Sequence, residues 1–349
     1  MSSAFCAEAE KFFCSACATA TERVAGDFWA WSYHFSYRSP WSGREAPSLD
    51  RMEFEGNHPL QDVGRVAQAQ ATVSEEAYLV RYPESRRLWR SGEDFTDADV
   101  QANWNANAER WDAMYDDDGD RNRRYQSDEP MLRLLGDIHS REILDVGSGN
   151  GYLCRKLAKA GAFMTGVELS DAFSRIAAER ERSEPLGITY HRASASEMDF
   201  LGEAGFDKAV ANYVLMDIRD YEAAIGHVFR VLKPGGCFVA VISHPCFAAG
   251  PAWEARPPDS PRREERVYRV DSYFHRGPYL GQWADLDPVL SFHRPLRDYW
   301  QAFSEAGFLI DGFEEPSITD RGRRELPEWM VEQALRIPYS CIFRLVKPG

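Results

Sequence analysis

The chain has 349 residues, 44% of them apolar, and a formal charge of −14: enough for one large domain with an extension, and repulsive to polyanions, so nucleic acid is disfavoured as a partner. No stretch approaches the length of a bilayer-spanning helix, and Glu8, Glu10 and Lys11 stand where a leader peptide would be apolar. The seven cysteines form no disulfide-like framework, which fits a reducing, cytoplasmic setting away from membranes.

From the amino terminus, Phe5, Ala9, Phe12, Ala16, Ala20, Val24, Phe28, Trp31 and Phe35 recur at steps of three or four, one face of a long helix. Residues 38–60, rich in Ser, Pro and Gly, read as a loop before short helices, so residues 1–95 are expected to form a mainly helical extension. Cys14 and Cys17 are spaced like half a zinc site, but no second pair is nearby, and no metal is expected. A helix is predicted from Thr96 or Asp97 to Tyr115, with Trp104, Ala108, Trp111 and Tyr115 on one side. Asp116, Asp117, Asp118 and Asp120 then read as a solvated loop.

From residue 141 strands are expected at 142–147, 163–168, 187–192, 207–213 and 236–243, with helices between them, the pattern of a parallel doubly wound sheet. Its first strand stops at Gly147-Ser148-Gly149-Asn150-Gly151, where bare backbone can turn sharply and let a ligand approach. Glu168 lies 168 − 147 = 21 residues beyond Gly147, close to the spacing at which a second strand delivers an acid to ribose hydroxyls. Tyr152 stands where a dinucleotide fingerprint has its third glycine, so the turn suits an adenosyl ligand without a pyrophosphate.

Further on, Phe206-Asp207-Lys208-Ala209-Val210-Ala211-Asn212-Tyr213-Val214-Leu215-Met216 and Arg230-Val231-Leu232-Lys233-Pro234-Gly235-Gly236 follow in order. With the glycine turn, these segments resemble class I S-adenosylmethionine-dependent methyltransferases, of the type 11 small-molecule kind, over residues 97–346. The resemblance implies a Rossmann-like α/β fold, a seven-stranded sheet with its last strand antiparallel. It divides the chain into the extension and a domain over 96–349, in which residues 244–295 are an acceptor-lid insertion. The implied cofactor is S-adenosyl-L-methionine, held by Asp145, Gly147, Ser148, Gly149, Gly151, Glu168, Leu169, Ser194, Ala195 and Asn212, with Trp104 and Trp111 over the sulfonium. In one place the chain departs from the family. Ser194 stands where many members carry an Asp that accepts from the adenine amino group, and a neutral acceptor is the weaker one. Met198 is expected on the purine face or in the core.

The insertion carries Pro251, Pro257, Pro258 and Pro261, which deny it long helices, and aromatic residues that must be buried on a pocket or on the extension. Arg256, Arg262, Arg263, Arg266 and Arg269 suit an anionic substrate, but Glu254, Glu264 and Glu265 interleave with them as in a solvated loop. If the acceptor must lose a proton, His244 after the fifth strand is the first candidate for the base, with His293 and Tyr213 as further catalytic candidates. Asp217 either meets the acceptor or caps a helix. Cys246 lacks the surroundings of a pyrimidine methyltransferase nucleophile. The expected reaction is in-line methyl transfer to a small-molecule metabolite. RNA or protein as acceptor and cofactor binding without turnover are the alternatives. Acceptor atom and oligomeric state leave no mark in the sequence.

Overall fold

The computed structural model describes residues 87–115, 119–247, 253–255, 266–268, 270–281 and 286–349. The expected helix over 5–35, the Cys14 and Cys17 pair and acidic residues 116–118 lie outside them. Strand β1 (Arg87–Trp89) comes first, then helix α1 (Asp97–Met114). Thr96 starts the helix with a capping box: its hydroxyl accepts from the Asp99 amide, and the Asp99 carboxylate accepts from the Thr96 amide. A π-turn at Arg123–Ser127 leads into α2 (Asp128–Leu135), which stops at Gly136 in the left-handed region.

Alternation follows through β2 (Glu142–Val146), α3 (Tyr152–Lys159), β3 (Phe163–Glu168), α4 (Asp171–Ser183), β4 (Thr189–Arg192), β5 (Phe206–Asn212), α5 (Tyr221–Val231) and β6 (Leu232–Ser243). The last of these starts earlier than the sequence implies. Leu232 already pairs with Phe206, residues 233–236 loop out, and pairing resumes at Cys237 opposite Lys208. Within the insertion β7 (Trp253–Ala255) and β8 (Arg266–Tyr268) form an antiparallel ribbon. Then β9 (Gly277–Gly281) and β10 (Val289–His293) join β1 in a three-stranded antiparallel sheet. Residues 87–89, placed by the sequence in the extension, therefore pair with the insertion. Helix α6 (Leu296–Glu305), β11 (Leu309–Glu314), α7 (Asp320–Glu325), α8 (Glu328–Ala334) and β12 (Ser340–Val346) complete the described chain.

The main sheet has seven strands in the order β11-β12-β6-β5-β2-β3-β4, and β12 runs antiparallel between β11 and β6. Residues on β6 alternate between its two faces. Phe238, Ala240 and Ile242 pack with Phe303 and Phe343, while Val239 and Val241 pack with residues of α2 and α3. Burying each such large side chain contributes about 1.5–3 kcal/mol, and two apolar faces fix the strand register. Because β2, β3, β4, β5 and β6 run parallel, their carboxyl ends share one edge, where the glycine turn, Glu168, Ser194 and Asn212 come together.

Candidate active site

The turn after β2 places three glycines in the left-handed region, at φ of 68°, 54° and 77° for Gly147, Gly149 and Gly151. Their surroundings differ. A Cβ on Gly147 would lie 2.2 Å from a Val214 methyl, so the turn is pressed against the loop after β5. A Cβ on Gly149 would meet nothing within 4 Å, because that backbone faces a cavity. Gly151 instead caps α3 beneath Tyr190.

Amides of Gly147 and Ser148 both donate to the Val167 carbonyl, at 2.8 and 3.0 Å, tying the turn to the strand that ends in Glu168. The Glu168 carboxylate accepts from the Gly149 amide at 2.8 Å and the Ser170 amide at 2.7 Å. Burial pushes its pKa up, and these amides work against that shift. An ionised carboxylate offers about four lone-pair sites, so Glu168 retains capacity for hydroxyl donors.

The cavity in front of this acid encloses about 850 Å³, counting its open mouth. Gly147, Gly149, Glu168, Leu169, Ser194, Ala195, Asn212, Tyr213, Trp104 and Trp111 all border it, as do Asp97, Gln101, Arg123 and Asp217. Asp145 and Ser148 border an adjoining smaller cavity that shares Arg123 and Asn212. Burial raises the Asp145 carboxyl to about 7, against a hydrogen bond from the Cys154 thiol. Gly151, His244 and His293 border neither cavity, and Met198 lies in the core.

Helix α1 lies along the cavity and is pegged down by polar side chains. Ser194 donates to Asp97 at 2.5 Å, Gln101 to the Leu169 carbonyl at 2.8 Å, Ser170 to Asn105 at 2.7 Å, and Asn150 to Asp112 at 2.8 Å. Those helix residues recur at steps of four, four and seven, one face of the helix. An adjacent face uses Asn103 and Asn107 to bind backbone just before and at the start of β10. The sequence reading singled out only the aromatic side. There Trp104 and Trp111 meet edge to face, with ring centroids 5.9 Å apart.

At the opposite end of the cavity Arg123 opens the π-turn. Its guanidinium pairs with Asp120, donates to the Asn212 carbonyl at 3.1 Å, and lies 5.0 Å from the Tyr213 ring centroid and 5.7 Å from that of Trp111. Burial opposes its charge, but the Asp120 carboxylate, helped by the Tyr152 and Tyr213 hydroxyls, outweighs that and raises its pKa. Asp120, expected in a solvated loop, is only 3% exposed because it serves this arginine. Arg123 Nε and Asn212 Oδ1 are buried without a partner among the described residues. The sequence held one weak signal for this pair, an arginine between an acidic run and a helix.

On the remaining wall Tyr213 adopts a φ of 57°, a strained conformation for a bulky residue beside a site. The loop that follows is held by β10 and its neighbour. Arg294 donates to the carbonyls of Leu215, Ile218 and Arg219, and the Phe292 amide to that of Met216. Asp217 is 8% exposed and accepts from the Ser291 hydroxyl at 2.6 Å; burial raises its carboxyl to about 7, against that bond and Arg294. Asp220, not Asp217, caps α5.

His244 sits apart from this wall. Its Nδ1 accepts from the Cys246 amide at 3.1 Å, which leaves the proton on Nε2, 2.8 Å from the Glu315 carboxylate. Burial lowers its pKa, with Glu315 opposing. His293 lies 2.9 Å from the Tyr273 carbonyl and borders a separate cavity with Arg276 and Asp298. Of the insertion arginines, only the backbone of Arg266 is described.

Residues 144–240 match the model of a methyltransferase domain. Those residues are similar to that domain, and the sheet around them has the class I methyltransferase fold. A structure of an S-adenosylmethionine-dependent methyltransferase from Mesorhizobium loti matches this methyltransferase fold with a TM-score of 0.54 and 26% identity, covering 62% of this chain and 96% of that one. A structure from Listeria monocytogenes shares the fold at 22% identity and a TM-score of 0.52, covering 63% and 96%. In sequence, a ubiquinone biosynthesis O-methyltransferase of Alkalilimnicola ehrlichii is 30% identical over 106 residues, 30% of this chain and 43% of that protein. A demethylmenaquinone methyltransferase of Tropheryma whipplei is 32% identical over 114 residues, 32% of this chain and 46% of that protein. The match thus spans less than half of either relative's length. None of the described helices is long and apolar enough to cross a membrane.

Proposed function

We propose that this protein transfers a methyl group from S-adenosylmethionine to a small-molecule acceptor. The observation that carries the reading is Glu168, oriented by the Gly149 and Ser170 amides at the wall of a cavity floored by bare backbone. The residues fit the cofactor. Glu168 would accept from the ribose hydroxyls, while Arg123 Nε and Asn212 Oδ1, one donor and one acceptor lacking partners, match the carboxylate and ammonium of a methionine moiety. When bound, the cofactor supplies an electrophilic methyl on a sulfonium.

In-line displacement then requires alignment more than chemistry from the protein. Trp104, Trp111 and Tyr213 give the cavity aromatic walls that suit a cation, and α1 lies along its side. Where the acceptor is a hydroxyl, its proton passes to the ionised carboxylate of Asp217, which borders the cavity where His244 and His293 do not. Similarity to an O-methyltransferase makes oxygen the first acceptor atom to test.

The test is methyl-labelled S-adenosylmethionine incubated with a metabolite extract, with the product identified by mass spectrometry. Label in a small molecule, abolished by Glu168→Ala, is the expected result. Label confined to RNA or protein overturns the acceptor class. Calorimetric binding of the cofactor without any labelled product makes the protein a binder rather than an enzyme. A cytoplasmic location belongs to the same reading, to be checked by cell fractionation.

A further inference from the structure

We propose that Asp97, in the first turn of α1, is the acceptor for the exocyclic amino group of the cofactor's purine, so that the helix over the cavity carries its own base-reading carboxylate. This rests on the S-adenosylmethionine reading above. With Glu168 on the ribose, the two arms of an adenosyl ligand must reach in opposite directions. One end of the cavity holds Arg123 and Asn212 with unsatisfied polar atoms suited to an amino acid. The other is walled by Val100, Leu169, Ala193 and Ala195, a slot suited to a flat base.

At that second end Ser194 has already committed its hydroxyl. It donates to Asp97 Oδ2 at 2.5 Å and lies 3.3 Å from the Ser196 amide, which donates back to it. The Ser196 hydroxyl reaches the same Oδ2 at 3.3 Å, and Asp97 Oδ1 receives no hydrogen bond from the described residues. A negatively charged oxygen is therefore presented where a neutral serine alone would read the base weakly. Nor does the helix need this carboxylate as a cap, since Thr96 and Asp99 already satisfy its terminus. Thus the serine pair orients Asp97, and Asp97 reads the amino group from an element outside the matched domain residues 144–240.

The experiment is calorimetry of the full chain with two ligands, S-adenosylhomocysteine and its purine-riboside counterpart lacking the 6-amino group. Wild type should bind the amino form about tenfold or more tightly than the deamino form, the range of a charge-assisted hydrogen bond. Asp97→Asn should lose that preference by weakening only the amino form. Adding Ser194→Asp in the same chain should restore it from the strand side. Equal affinity of wild type for both ligands, or an equal loss of both in Asp97→Asn, overturns the proposal and leaves Asp97 a tether. Failure of wild type to bind either ligand overturns the cofactor reading as well. The wild-type comparison stands even if a variant folds poorly.

Discussion

Gly147 and Gly149 share a backbone sign but face different neighbours, so alanine should harm them differently. At Gly147 the new methyl would collide with Val214, a stiff β-branched residue in the clamped loop after β5. Overpacking of this kind costs about 1–3 kcal/mol, and Gly147→Ala should lower the Tm of the ligand-free protein in a thermal scan. At Gly149 only the left-handed penalty of about 1–2 kcal/mol applies, which Gly147 carries in addition to its clash, while the methyl enters the cavity. Gly149→Ala should lower Tm less than Gly147→Ala does and weaken S-adenosylmethionine binding at least about tenfold by calorimetry. The reverse pattern would remove Gly149 from the site.

Asp217 gives a second test among single side chains. Its folded pKa of about 7 lies above the ordinary 3.8, so the folded state holds a proton that the unfolded chain has released. The stability this provides is whole below pH 3.8 and is lost as pH rises through about 7. Asp217→Asn should therefore gain on the parent in Tm between pH 5 and pH 8. If Asp217 is the base, kcat/KM of the parent rises through the same range, and the variant's residual rate is flat. A variant with parental activity would end the assignment.

Among the secondary-structure elements, those buried on both sides were legible in the sequence. β3 falls on 163–168 as its apolar pattern implies, and Thr96 starts α1 as its capping chemistry requires. Of the cavity, Gly147, Gly149 and Glu168 were readable because a strand ending in a glycine turn, beside a neighbour ending in an acid, brings those positions to one edge. Asp97, Gln101, Asn105 and Asp112 were not, because a polar helix face reads as solvated until its partners on Ser194, Leu169, Ser170 and Asn150 are seen. Arg123 was hidden for the same reason, inside a basic run whose π-turn has no sequence signature. α1 joins only two small apolar clusters and is otherwise held by hydrogen bonds that water can replace, so it should release more readily than a strand buried on two apolar faces. Hydrogen exchange should show α1 amides exchanging faster than those of β6, and slowing when S-adenosylmethionine is added. Unchanged exchange on addition would mean that α1 does not cover the ligand.

For the molecule as a whole, the covers on the two sides of the cavity are joined. β1 precedes α1 in the chain and pairs with β9, α1 grips the start of β10 through Asn103 and Asn107, and Arg294 directly after β10 holds three carbonyls of the loop bearing Asp217. Removing that guanidinium strands the buried Leu215 carbonyl, at about 1–3 kcal/mol when water cannot replace it, and frees the half-buried end of the loop. Arg294→Ala should lower Tm and also reduce kcat more than it changes cofactor affinity. Equal losses in both would show that the clamp only maintains the fold.

One consequence of the shared β1-β9-β10 sheet concerns traffic. In the proposed reaction donor and acceptor would share a single roof, so neither compartment could be vacated while the other stayed fully shut. Turnover is then expected to be sequential, with both substrates bound before either product leaves.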